Sequence, residues 1–127
     1  MTTLYGIPNC DTVKKARTWL AEHARAHDFH DFKKLGVPPA RLAQWAETLG
    51  WESLLNRKGS TWRKLAAGEQ LAVHDSASAR VLMLSQPSVI RRPVVEWSEG
   101  GVNGSVNGSV DGDVTIGFDP EAWEKRA

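Results

Sequence analysis

Leu4-Tyr5-Gly6-Ile7-Pro8-Asn9-Cys10-Asp11-Thr12-Val13-Lys14-Lys15-Ala16 is the stretch whose reading decides the fold. Thr2 to Gly6 has the length and apolar bulk of a short strand, and it runs into a Gly-Ile-Pro-Asn turn. From Asp11 onward the period changes. Val13, Ala16, Leu20 and Ala24 recur at spacings of three and four, with Lys14, Lys15, Arg17 and Glu22 mainly on the other faces, which predicts a helix. Strand hands over to helix at Asn9-Cys10-Asp11, so Cys10 falls at or beside the helix N-cap.

Outward from this core the chain alternates again. His27 to Lys33 is weakly strand-like, with Phe29 and Phe32 among polar residues. Pro38-Pro39 opens a second helix with Leu42, Trp45, Ala46 and Leu49 on one face, and Gly50 stops it. A short helix is expected from about Ser60, with Trp62, Leu65 and Ala66 as its apolar stripe. Another is expected from about Asp75, carrying Ala77, Arg80, Val81 and Leu84. Trp45 and Trp62 are expected in the core, and Trp19 over an edge of the first helix. Pro93 to Trp97 and Val114 to Phe118 read as strands, and Asp119-Pro120-Glu121 as a helix start. Between those strands Val-Asn-Gly-Ser occurs twice and Val-Asp-Gly once, so a flexible hairpin tip is expected at about 99–113. This order predicts an α/β protein: one thioredoxin-like domain over 1–127, with an inserted helical section at about 38–86 and a C-terminal ββα unit.

Composition narrows the class. The chain has 127 residues, 41% of them hydrophobic and 24% charged, as in an ordinary globular domain large enough to fold without disulfides or structural metal. A net charge of +1 argues against a nucleic-acid or membrane-surface partner. The N-terminus lacks the pattern of a secretory signal, and one cysteine cannot form an internal disulfide, so a cytoplasmic monomer is expected. Without export, the two Asn-Gly-Ser triplets carry no glycosylation meaning.

Cys10 is the sharpest chemical feature. A thiol must ionise to act, and a helix N-terminus favours the thiolate through its unpaired N–H groups and dipole. Lys14, one turn away, adds positive potential, while Asp11 opposes it. The bland alternative is a small buried apolar residue. Val13 stands where a second thiol of a Cys-x-x-Cys pair would be, so turnover requires an external thiol, for which glutathione is the candidate. Arg91-Arg92-Pro93 precedes a strand. In a thioredoxin-like fold that loop nears the first helix N-terminus, which would bring Arg92 toward Cys10; the alternative is a surface pair. Arg57, Lys58, Arg63 and Lys64 surround Gly59-Ser60, as an anion site at a helix start or as a solvated face. His23, His27 and His30 have helix-like spacing, but no cysteine or carboxylate cluster accompanies them, so no metal site is expected.

Three blocks resemble one family. The opening segment, Leu55-Asn56-Arg57-Lys58-Gly59-Ser60-Thr61-Trp62-Arg63-Lys64-Leu65, and Ile90-Arg91-Arg92-Pro93-Val94-Val95 are similar, in that order, to blocks of the arsenate-reductase-like proteins of the ArsC/Spx group. The similarity is greatest to the YffB branch, in which Asn-Cys-Asp-Thr follows the first strand. The resemblance runs from about Thr2 to Phe118. It implies Cys10 as nucleophile, with Arg57 and Arg92 binding an anionic group. Asn9, Asp11, Thr12, Arg91 and Pro93 would contact substrate or glutathione, and the Arg92-Pro93 bond would be cis. No bound cofactor is implied. Glutathione is the co-substrate, and glutaredoxin or a protein thiol or disulfide would be a partner. The family's third arginine has no counterpart, because Ile116-Gly117-Phe118-Asp119 stands there. Loss of one such contact to a developing oxyanion costs about 10²–10³ in rate, which argues against arsenate as substrate. The resemblance therefore implies a glutathione-dependent monothiol reductase. The other reading is a non-catalytic, Spx-like module contacting RNA polymerase or another protein.

Overall fold

The computed structural model describes residues 2–97 and 114–124, so the expected tip at about 99–113 lies outside the described residues. The element order is β1 (Thr2–Gly6), α1 (Asp11–Glu22), β2 (His27–Asp31), α2 (Phe32–Leu35), α3 (Pro39–Leu49), α4 (Trp51–Leu54), α5 (Ser60–Arg63), α6 (Ala67–Leu71), α7 (Ser76–Ser85), a 3-10 turn (Pro87–Val89), β3 (Val94–Glu96), β4 (Val114–Ile116) and α8 (Pro120–Glu124). These form two compact units. One comprises the described residues within 1–31 and 92–127, the other residues 32–91. The helical section expected at about 38–86 lies within the second unit.

In the first unit the sheet order is β2-β1-β3-β4, with β1 parallel to β2 and antiparallel to β3, and β3 antiparallel to β4. A βαβ start and a ββα finish on one four-stranded sheet are the thioredoxin-like α/β fold. Leu4, Val13, Ala16, Leu20 and Val95 are fully buried between α1 and the sheet. Close approach is possible because Gly6 has no side chain: a Cβ there would lie 2.7 Å from Val13 Cγ2. Trp123 of α8 meets Trp19, Trp97 and Phe118 edge-on, with centroids 5.3, 4.9 and 4.8 Å away. Trp19 is thus a buried core residue and not the cover of a helix edge. Asp119 Oδ1 accepts from the Ala122 N–H at 3.3 Å, the cap expected from Asp119-Pro120-Glu121.

Residues 32–91 build a helical unit with its own core. Leu42, Trp45, Leu54, Met83, Val89 and Ile90 are fully buried, and Phe32 packs against Trp45 at 6.3 Å. Phe32 therefore ends β2 at Asp31 by turning into α2, two residues short of the strand expected to Lys33. Trp45 is in this core as expected; Trp62 is half-buried and is not. Nor does α5 bury the expected stripe, for none of its residues is buried. The face of α7 is also different. Ala79 and Met83 are buried, whereas Ala77 is exposed and Val81 and Leu84 are 69% and 41% exposed. The sequence of α7 offers two weak apolar stripes, and periodicity alone does not choose between them. Among the described residues no helix is long and apolar enough to cross a membrane.

Candidate active site

The turn between β1 and α1 carries Cys10 at one end of the first unit's sheet. Cys10 is the N-cap of α1, with extended backbone (φ −103°, ψ 125°). Its N–H donates to the Ile7 carbonyl at 3.3 Å, closing the Ile7–Cys10 turn, and its own carbonyl accepts from the Lys14 N–H at 2.9 Å. The side chain makes no cap hydrogen bond. It is partly exposed and packs at the margin of the core formed by Leu4, Val13 and Val95. Cys10 is thus neither the buried apolar residue of the bland reading nor a freely solvated thiol. As N-cap residue, Cys10 belongs to the helix start whose unpaired N–H groups and dipole favour a sulfur anion, although its side chain makes no cap hydrogen bond. Asn9, Asp11 and Thr12 are exposed around it, with the Asp11 carboxylate in the first turn working against added negative charge.

The sheet brings a second segment to the same end. β1 and β3 pair Thr3 with Glu96, Leu4 with Val95 and Tyr5 with Val94. Continued by one step, this register sets Pro93 level with Gly6, so Arg92-Pro93 flanks the exit of β1 toward Cys10. The Arg92-Pro93 bond is cis. Pro93 is buried and its carbonyl accepts from the Gly117 N–H at 2.9 Å, which ties the end of β4 to this corner. Arg92 is half-buried, with its Nε shielded from solvent. Ile116-Gly117-Phe118 therefore reaches the same end of the sheet without bringing a cation.

Arg57 and Arg91 belong to the second unit. Arg91 is tied into it: its N–H donates to the Leu54 carbonyl at 2.7 Å and its Nε to the Ser53 carbonyl at 3.1 Å. Arg57 is exposed, and its guanidinium carbon lies over the rings of Trp51 (5.6 Å) and Trp62 (5.8 Å). Because α5 has only four residues, it supplies almost no dipole, and the anion site read at its start reduces to what these side chains offer. The three histidines go separate ways. His23 stacks on Trp19 and contacts Glu124 Oε1 at 3.2 Å, His27 contacts the Arg25 carbonyl at 3.3 Å, and His30 lies beside Tyr5. Reasoning from the sequence missed Trp51 beside Arg57, and its one available signal was an aromatic residue just after the Gly50 helix stop.

A thioredoxin-like sheet carries, at one end, a partly exposed N-cap cysteine and a cis-proline loop that begins with an arginine. The model of the ArsC family matches residues 5–126, and the chain belongs to that family. Among solved structures it is similar to a YffB protein at 44% identity, covering 99% of this chain and 98% of that one with a TM-score of 0.83. It is also similar to an arsenate-reductase-related protein from Brucella melitensis at 45% identity, covering 98% and 92% with a TM-score of 0.69. A protein of Haemophilus influenzae is 39% identical over 75% of this chain and 82% of its own. The global transcriptional regulator Spx of Streptococcus agalactiae is 29% identical over 75% and 69%.

Proposed function

We propose that this protein is a glutathione-dependent monothiol reductase. The observation that carries the reading is Cys10 as uncapped N-cap of α1, at the sheet end where Arg92 and cis-Pro93 begin β3. In the first step the Cys10 thiolate attacks one sulfur of a substrate disulfide. The S–S bond breaks, a mixed disulfide forms on Cys10, and the leaving thiolate takes a proton from solvent. A glutathione thiolate then attacks the substrate sulfur, releasing Cys10 as thiolate and leaving a glutathione–substrate disulfide that a second glutathione reduces. Overall one disulfide gains two electrons and two glutathiones are oxidised. Arg57 and Arg92 bind anionic groups of glutathione or substrate, for which a guanidinium fork is suited. Glutaredoxin or a protein disulfide is the macromolecular partner this chemistry admits, in the cytoplasm, where glutathione is plentiful. With two arginines and no third at Ile116-Gly117-Phe118, arsenate is a poor substrate.

Glutathione titration followed by chemical shifts, on wild type, Arg57→Ala and Arg92→Ala, tests this together with turnover of a small disulfide. Wild type binds and turns over, each arginine variant binds roughly 10- to 100-fold more weakly, and Cys10→Ser retains the fold without turnover. Wild-type shifts that do not respond to glutathione would sink the reading.

One observation favours a second reading, a protein-binding module. Leu71, Val81 and Leu84 are exposed at 80%, 69% and 41% on the helical unit, and Spx regulators are among the relatives. Purified RNA polymerase that fails to retain either wild type or Cys10→Ser counts against it.

A further inference from the structure

Arg57 is an exposed arginine held in an unusually elaborate way. Three arginines among the described residues lie over aromatic rings. Arg17 has Phe29 (4.4 Å) and Arg25 has Trp97 (5.5 Å), whereas Arg57 has both Trp51 and Trp62. Attraction to ring faces orders a guanidinium without consuming a hydrogen-bond acceptor. Among the described residues no carbonyl or carboxylate accepts from Arg57, in contrast to Arg91, whose Nε is engaged by Ser53.

The backbone on both sides of Arg57 is equally fixed. Asn56 donates its N–H to the Val89 carbonyl at 2.8 Å, and its Oδ1 accepts from the Lys58 N–H at 3.2 Å, a side-chain-closed turn spanning Arg57. Gly59 completes the turn, since a Cβ there would sit 2.8 Å from Asn56 Nδ2. A long surface side chain normally loses rotamer freedom when it captures a ligand, and that loss weakens binding. Here the ordering is done by the protein in advance, while the donor fork stays open to a ligand.

We infer that Trp51 and Trp62 are positioning residues for Arg57, holding its guanidinium ready for a carboxylate or tetrahedral oxyanion. This rests on the reading that Arg57 binds an anionic group. The two indoles act through Arg57 and need not touch the ligand themselves.

The experiment has two arms on the full chain. In the first, the Arg57 side-chain Nε–H signal is followed by NMR without ligand, in wild type and in Trp51→Leu, Trp62→Leu, Trp51→Phe and Trp62→Phe. Ring-current displacement and ordering of that signal are lost in the leucine variants and kept in the phenylalanine variants. In the second, the same proteins and Arg57→Ala are titrated with reduced glutathione, which carries carboxylates, and separately with inorganic phosphate. For whichever probe wild type binds, each leucine variant weakens binding roughly two- to fivefold, and each phenylalanine variant stays within about twofold of wild type. Amide hydrogen exchange in α3 and α7, the helices of the unit that carries Arg57, is the same in all, which excludes a general disturbance of that unit. An Arg57 signal indifferent to both leucine changes overturns the inference and leaves the function reading intact. If that signal responds but Arg57→Ala binds both probes as wild type does, Arg57 is not an anion-binding residue, and the function reading loses Arg57 along with the inference.

Discussion

At the scale of single residues, chemistry is set by caps and backbone conformation. Helix α1 ends in a Schellman arrangement: Arg25 N–H donates to the Leu20 carbonyl at 2.8 Å, and Ala24 N–H to that of Ala21 at 3.2 Å. The left-handed position at its heart, usually glycine, is Ala24 at φ 55°. Ala24→Gly removes the Cβ clash and, after the entropy lost by adding a glycine, stabilises by on the order of 0.5–1 kcal/mol in denaturant unfolding. At the start of α7, Asp75 accepts from the Ser78 N–H at 2.9 Å, and the Asp75 N–H donates to Ser78 Oγ at 3.1 Å. The backbone hydrogen bond from Ser78, then its hydroxyl, holds the Asp75 carboxyl below its ordinary value. A lowered folded pKa stabilises the protein above the ordinary aspartate pKa, and that contribution disappears as pH falls through the folded value. The unfolding midpoint of Asp75→Ala therefore lies below wild type at neutral pH, and the two converge in acid. A gap that is unchanged in acid would show that the carboxylate charge plays no part in the cap.

At the scale of elements, the Cys10 turn depends on how tightly α1 lies on β1. Gly6 is buried and faces Val13, whose branched side chain is fully buried and cannot swing aside. Gly6→Ala forces the helix away from the strand and costs about 1–3 kcal/mol. Because the helix carries Cys10 at its N-cap, the same change also lowers the Cys10 alkylation rate, and both are read on one purified variant. Elements with strong local signals were legible in the sequence: β1, the start of α1 at Cys10, α3 from Pro39 to the Gly50 stop, and α8 after Asp119-Pro120. The brief elements α2, α4 and α6, of four or five residues, were not. Their apolar positions are too few to establish a period, and long-range burial of residues such as Phe32 and Leu54 decides their conformation.

At the scale of the molecule, each compact unit has a tryptophan at its centre. Trp123 joins α8 to Trp19 of α1, Trp97 after β3 and Phe118 after β4, while Trp45 fills the helical unit at 0% exposure. Truncation to alanine costs about 3–5 kcal/mol at either place. Hydrogen exchange separates the two: Trp123→Ala speeds exchange in β3 and β4, and Trp45→Ala speeds it in α3 and α7. Uniform acceleration in both variants would show a single cooperative core instead. Six tryptophans are visible in the sequence, but their roles are not. Trp62, on what reads as an apolar stripe, lies half-exposed over Arg57, and Trp19 is inside.

The sequence by itself determined the family and fold class of the protein and the place of Cys10 at the strand–helix junction. A period change from strand to helix, a cysteine at the junction and a proline after Arg92 are local signals, carried by residues within a few positions of one another. Tertiary structure alone decided that α7 buries Ala79 and Met83 instead of Val81 and Leu84. It alone put Arg57 over the rings of Trp51 and Trp62. Those choices compare the burial of one face with another, and pair residues from different elements. No local pattern contains the surface against which that comparison is made.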